Sequence, residues 1–267
     1  MPSYPDTALV DALVALTAQA GQLILELSSA GVEIHAKQDT SPVTNADVRA
    51  EEMILAGLGR LLPGVPVLAE ESVADGKVPE LDGAFIALDP LDGTREFVAG
   101  RPEYTVNVAL VEKGRPSLGI LHAPALGRTY WGVPGTGAAR AVHEKGAIPE
   151  AGIFAPIRTR VPPTPPVALT SRGHNNAPTE AFLDELGVTE RQRLGSALKF
   201  ALVAEGAADL YARFGPTMEW DIAAGEAVLA AAGGAVLDPD GQPLAYAKKT
   251  DGFRNGPFIA WGRPPRN

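Results

Sequence analysis

Residues 85–97 read FIALDPLDGTREF, and the stretch before them, residues 65–71, reads VPVLAEE. The first is an apolar strand followed by two aspartates three residues apart, a proline between them, and a Gly93-Thr94 pair that opens a helix. Pro90 locks its own φ and stiffens the bend, so Asp89 and Asp92 can converge on one spot while the Leu91 carbonyl turns toward them. All three are hard oxygen donors. Such a set suits Mg²⁺, which takes octahedral oxygen ligands at about 2.0–2.1 Å and keeps water or substrate phosphate in its shell. Gly93 lets a backbone approach an anion closely, and the N–H groups that start the next helix would face a phosphate oxygen. Taken as an isolated segment, D-P-x-D-G-T is equally an ordinary pair of turns. The context argues for a site: nineteen residues before Asp89, the VPVLA strand also ends in acids, Glu70-Glu71, and binding groups gather where strands run out into loops.

Outward from this segment, the chain alternates helix and strand signals. Leu9, Leu13, Leu16, Ala20, Leu23, Ile24 and Leu27 recur at three- and four-residue steps up to Gly31, which predicts a long amphipathic helix. A second helix is expected through Glu51 to Leu62, with Met53, Ile54, Leu58 and Leu61 facing inward and Asp47 in its first turn. Strands are expected at 65–69, 84–88, 105–111, 118–122 and 129–133, with Glu112-Lys113-Gly114-Arg115 as a hairpin connection. The run IRTRVPPTPP, residues 157–166, denies backbone donors to any regular element. It sets the expected seam between a domain over 1–156, carrying most of the acids, and a domain over 157–267. In the second, strands at 167–170, 209–211, 235–237 and 258–260 alternate with helices at 179–186, 198–205 and 222–232, an α/β pattern.

Composition removes whole classes of function. The 267 residues are 45% hydrophobic and 21% charged, with a net charge of −9, which is unlike a disordered or fibrous chain. An acidic chain without a basic tract has no grip on a phosphate backbone, so no nucleic-acid polymer is expected as partner. Zero cysteines exclude disulfides, thiolate metal sites and a Cys nucleophile. The N-terminal stretch lacks a basic region and is interrupted by Asp6, Asp11 and Gln19, and no uninterrupted apolar run of about 18 residues is found. No export signal and no transmembrane segment are therefore expected, and a cytoplasmic location fits.

Other candidates are single residues. Asp221 follows Trp220 at the start of an Ala-rich helix, where alone it reads as a cap. Glu71 and Asp39 read as solvated or as lying behind the ligands. Lys199 can equally be a solvated helix position, His174 a surface loop residue, and Arg213 a residue near a turn that reaches a phosphate. His35, His122 and His143 have no spacing that suggests zinc, and Trp131, Trp220 and Trp261 read as packing.

LAEES, then ALDPLDGTREFVAGRPEYTVNVALVEKGRPSLGILHAPALGRTYWG, then GSALKFALVAEG and FGPTMEWDIAAGEAVLAAAGG, in that order, resemble the inositol monophosphatase superfamily. More narrowly, they are similar to the CysQ-type 3′(2′),5′-bisphosphate nucleotidases. The resemblance runs from KQDTSPVTNAD, residues 37–47, to the last strand. It implies an αβαβα layered sandwich of an α+β half and an α/β half, classed as α/β, of the inositol monophosphatase and fructose-1,6-bisphosphatase type. It implies that Glu70, Asp89, Asp92, Asp221 and the Leu91 carbonyl bind two or three Mg²⁺ ions, with Asp47 and Thr94, beside Glu70, orienting and activating the attacking water.

Four carboxylates about 4 Å apart repel by a few kcal/mol per pair at an effective dielectric near 20, and the ions would offset this. Water can then attack phosphorus in line without any Ser, Cys or His nucleophile. By the same resemblance Gly93 and Thr94 meet a phosphate, while Ser171, His174, Ser196, Lys199 and Asp221 meet the nucleotide. Gly173 departs from the serine common in related sequences, which puts one contact at the nucleotide end in doubt. The implied reaction is hydrolysis of the 3′-phosphate of adenosine 3′,5′-bisphosphate, and of its 5′-phosphosulfate relative, in sulfur metabolism, with sensitivity to lithium and a monomeric or homodimeric state. The alternatives are an inositol-monophosphatase or fructose-bisphosphatase activity and a catalytically silent nucleotide-binding regulator.

Overall fold

A computed structural model describes residues 7–36 and 42–264. Asp39 and the rest of residues 37–41, ahead of the second helix, lie outside the described residues. In chain order the elements are α1 (Thr7–Ala30), β1 (Ile34–Ala36), β2 (Pro42–Thr44), α2 (Asn45–Leu61), β3 (Val67–Ala69), α3 (Glu70–Ala74), β4 (Phe85–Asp92), α4 (Thr94–Val98), β5 (Thr105–Glu112), β6 (Arg115–Ala123), β7 (Arg128–Val133), β8 (Gly137–Val142) and β9 (Ala155–Ile157). They continue with β10 (Val167–Ser171), α5 (Ala177–Glu185), β11 (Glu190–Leu194), α6 (Leu198–Ala204), β12 (Leu210–Arg213), β13 (Thr217–Met218), α7 (Glu219–Ala231), β14 (Ala235–Leu237), β15 (Arg254–Asn255) and β16 (Phe258–Trp261).

β3 to β9 form one seven-stranded sheet in sequence order, and the second sheet has the order β11-β10-β12-β16-β14. The partner sheet changes across the 157–166 proline run. The alternation of β5 shows how the layers stack. Val106, Val108 and Leu110 point into the cluster with α1 and α2, while Ala109 and Val111 join the cluster with α6 and α7. In the second sheet Tyr211 faces α6 and α7, whereas Leu210 and Ala212 pack with Leu183 of α5. The result is five layers: α1 and α2, the large sheet, α6 and α7, the small sheet, and α5. This is the expected αβαβα sandwich. The middle helix layer lies very close to the large sheet, because a Cβ on Gly119 would stand 2.3 Å from the Ala224 carbonyl oxygen and one on Gly132 would stand 2.4 Å from Val228 Cα. One apolar cluster, including Leu68, Phe85, Phe200 and Tyr211, joins both sheets through α6 and α7.

Several expectations are corrected. β4 does not stop at Leu88 but continues through Asp92, with a register shift between Asp89 and Asp92, so the Asp-Pro-Leu-Asp segment is a bulge within a strand instead of a turn after it. α2 starts at Asn45 under the Thr44 cap, and Leu61 is exposed while Leu62 is buried. The reason is the four-residue step: Ile54, Leu58 and Leu62 stay on one stripe. α1 is, by length and composition, apolar enough to cross a membrane, yet half of that stretch is buried within the fold. Leu13, Ala20 and Ile24 are completely enclosed, so its apolar stripe serves the core.

Candidate active site

The acids converge because of strand register. β3 and β4 are parallel, with Val67 opposite Ile86 and Ala69 opposite Leu88, so the next residues, Glu70 just past the end of β3 and Asp89 still within β4, stand side by side. Asp221 arrives from the first turn of α7. Ligand oxygens of Glu70, Asp89 and Asp221 all lie within 4.8 Å of one another. Asp89 is buried, and its Oδ1 accepts the Leu91 N–H at 3.0 Å. One oxygen of Asp221 accepts the Met218 N–H at 3.0 Å and the Thr217 hydroxyl. The donor set is all oxygen and its members carry like charge, which is the chemistry of a hard divalent cation site.

Asp92, the fourth expected acid, stands outside that trio. Its Oδ2 accepts the Ala197 N–H and, at 3.4 Å, the Asn107 amide. Burial and the neighbouring Asp221 charge push its carboxyl up to about 7. The link to Ala197 ties the bulged end of β4 to the turn that carries Ser196, a residue held at φ +50°.

Asp47 and Thr94 meet as expected. Thr94 Oγ1 donates to Asp47 Oδ1 at 2.9 Å and lies 3.2 Å from the Leu91 carbonyl oxygen. The other Asp47 oxygen accepts the Thr44 N–H at 2.8 Å and the Thr44 hydroxyl at 2.6 Å. Asp47 is thus a first-turn helix acid held by its cap, and the same geometry aims its Oδ1 at Thr94. Gly93, at φ +94°, caps α4 in a backbone region that a side chain would strain.

One cleft is lined by Glu70, Asp92, Gly93, Thr94, Ser171, His174, Ser196, Lys199 and Asp221, together with Arg95, Gly173 and Arg213. Lys199 is not solvated: it is buried, its Nζ donates to the Ser196 carbonyl and lies 4.8 Å from the Tyr211 ring centroid. Burial pulls its ammonium down to about 8. His174 stands exposed on the cleft wall, and desolvation, Arg213 and Arg95 hold its imidazole below the usual range. The backbone N–H of His174 donates to Ser171 Oγ at 3.2 Å. Arg213 donates through Nη2 to the Pro216 carbonyl at 2.6 Å, while its buried Nε has no partner among the described residues. Arg95 escaped sequence reasoning, although its place in the first turn after Gly93-Thr94 was a signal. The other histidines stay apart from the cleft: His122 and His143 flank Thr129 Oγ1 at 2.8 and 2.9 Å, and His35 is exposed.

An αβαβα sandwich with clustered acids at adjacent strand ends defines a class, and the sequence comparison names it. The chain belongs to the inositol monophosphatase family, whose profile matches residues 6–256. The 3′(2′),5′-bisphosphate nucleotidase CysQ of Escherichia coli strain K12 is 40% identical over 252 residues, covering 94% of this chain and 98% of that protein. The CysQ of Buchnera aphidicola is 32% identical over 262 residues, covering 94% and 93%. Among solved structures, CysQ from Bacteroides thetaiotaomicron, described as a bacterial member of the inositol monophosphatase family, superposes with a TM-score of 0.79 at 32% identity, covering 98% of this chain and 99% of that one. The inositol monophosphatase of Thermotoga maritima follows with a TM-score of 0.76 at 27% identity, covering 95% and 91%.

Proposed function

We propose that this protein removes the 3′-phosphate of adenosine 3′,5′-bisphosphate, giving AMP and phosphate, with the 5′-phosphosulfate relative as a second substrate. It is a 3′(2′),5′-bisphosphate nucleotidase of the inositol monophosphatase family. The observation that carries this reading is the meeting of Glu70, Asp89 and Asp221 beside a cleft that Glu70 and Asp221 line together with Lys199, Arg213 and His174. Acids that repel one another suit cations, and cationic side chains in the same cleft suit a second phosphate.

Glu70, Asp89, Asp221, Asp92 and the Leu91 carbonyl would hold Mg²⁺, two or three ions in all. When bound, Mg²⁺ supplies Lewis acidity, making water more acidic and neutralising charge on the phosphoryl and leaving oxygens. The chain's own residues do the rest. Asp47, fixed by Thr44, accepts the Thr94 hydroxyl proton, so the Thr94 oxygen turns a lone pair outward to accept a proton from the attacking water. The new P–O bond forms in line with the breaking ester bond, the 3′-oxygen leaves with the bonding pair and takes a proton from water in the cleft, and the proton gathered by Thr94 and Asp47 returns to solvent. Gly93 and the start of α4 receive phosphate oxygens, and Ser171, His174, Ser196, Lys199 and Asp221 orient the nucleotide. Residues 1–156 and 157–267 act as two units that close this cleft, a division supported by the change of sheet across the proline run. A cytoplasmic setting and a monomeric or dimeric state belong to the same proposal.

A phosphate-release panel tests it. Adenosine 3′,5′-bisphosphate is expected to give the highest kcat/KM, ahead of inositol 1-phosphate and fructose 1,6-bisphosphate. Activity is expected to vanish in EDTA and return with Mg²⁺. A preference for either sugar phosphate would overturn the substrate assignment.

A further inference from the structure

Glu51 lies near the middle of α2 and is only 4% exposed. A buried carboxylate is unfavourable unless donors meet it, and here three do. Its Oε2 accepts the Glu71 N–H at 2.8 Å, and its Oε1 accepts the Ser72 N–H at 2.8 Å and the Ser72 hydroxyl at 2.6 Å. These are the groups that directly follow Glu70 in the chain, in the first turn of α3, where N–H groups have no partner within the helix. The residue before α3, Ala69, provides no side-chain cap. Glu51 takes that part from another helix.

One turn earlier on α2 stands Asp47, which holds Thr94, and residues four apart share a helix face. The same face of one helix therefore grips the backbone beside Glu70 and the hydroxyl of Thr94. We infer that Glu51 is a positioning residue: by fixing the peptides after Glu70, it sets that carboxylate against Asp89 and Asp221 and so tunes the affinity of the site for its divalent cation. The inference rests on the cation-dependent reading above. Groups that orient metal ligands from behind commonly change metal affinity about 10- to 100-fold when replaced.

The test is Mg²⁺ titration calorimetry on the full chain, with thermal melting in EDTA and steady-state kinetics alongside. Glu51→Gln offers one oxygen and one NH₂ to three donors. It is expected to raise the Mg²⁺ Kd about tenfold, to shift the Mg²⁺ dependence of kcat by the same factor, and to leave the nucleotide KM at saturating Mg²⁺ within about twofold of wild type. Ser72→Ala removes only the hydroxyl arm and is expected to shift the Kd about threefold in the same direction, less than Glu51→Gln because both backbone N–H groups still hold the carboxylate. A merely structural role would lower the melting temperature without moving the Kd. Unchanged Kd in folded Glu51→Gln overturns the inference, and if that variant does not fold, unchanged Kd in Ser72→Ala overturns it. Absence of Mg²⁺ uptake by the wild type would instead sink the cation-dependent reading itself.

Discussion

Two acids two residues apart on α7 meet opposite surroundings. Asp221 faces Glu70 and Asp89, carboxylate against carboxylate. Glu219, completely buried, is met by the Ala247 and Lys248 N–H groups at 2.8 and 2.9 Å and by the Lys248 ammonium at 3.0 Å. About two turns further on, Glu226 accepts the Tyr246 hydroxyl at 2.5 Å. The cleft crowds like charge and waits for an external cation, whereas the clamp around 245–248 supplies its own donors. The first arrangement holds free energy in reserve for binding, and the second contributes to the fold.

The sharpest way to break this contrast is Asp89→Asn. Removing one crowded carboxylate is expected to lower kcat about 10³-fold while the melting temperature in EDTA stays equal or rises. A fall in both would make Asp89 a structural acid. Next, Lys248→Met leaves the Glu219 carboxylate without its ammonium. Unfolding free energy should drop by about 3 kcal/mol in denaturant titration, as for a broken buried pair, with kcat at 25 °C unchanged. Stability within error of wild type would remove the distinction.

Glu226 gives a pH test on the clamp side. Burial pushes its carboxyl up to about 7 from 4.5. The folded state therefore keeps a proton that the unfolded chain releases, so its contribution to stability is fully present below about pH 4.5 and is lost as pH rises through 7. The difference is roughly 3 kcal/mol. Glu226→Gln should flatten that fall and be the more stable protein at pH 8, and parallel stability–pH curves would contradict the assignment. The smallest effect concerns the cleft's rim. A Cβ at Gly173 meets nothing within 4 Å, so Gly173→Ser should fold normally and lower the nucleotide KM a few-fold through one hydrogen bond. An unchanged or higher KM would leave that wall without a part in nucleotide recognition.

The same contrast explains what could be read from the sequence. Glu70, Asp89 and Asp92 were legible because apolar runs end in them, and the 19-residue offset between Glu70 and Asp89 reappears as the β3–β4 register. Long helices and the central strands were legible from periodicity. β8, reading GAARAV, and β11, reading ERQRL, were not, since small residues carry little strand signal and an edge strand exposes its charges to solvent. Asp221 reads as a cap on local grounds and becomes a site residue only when the tertiary fold swings α7 onto the strand ends. Glu51 had no local mark at all: an acid inside an amphipathic helix looks solvated until the packing partner is known. The rim residues Lys199, buried, and Arg213, half-buried, are isolated cations whose place in the cleft wall no periodicity announces.

The central claim is that Glu70, Asp89 and Asp221 form one cradle for divalent cations. Its most direct test is calorimetric titration of Mg²⁺ into the wild type and into Asp89→Asn. The account predicts saturable uptake by the wild type with a matching rise in melting temperature, and loss of both in the variant. No heat of binding in the wild type, or equal uptake by the two proteins, would contradict it.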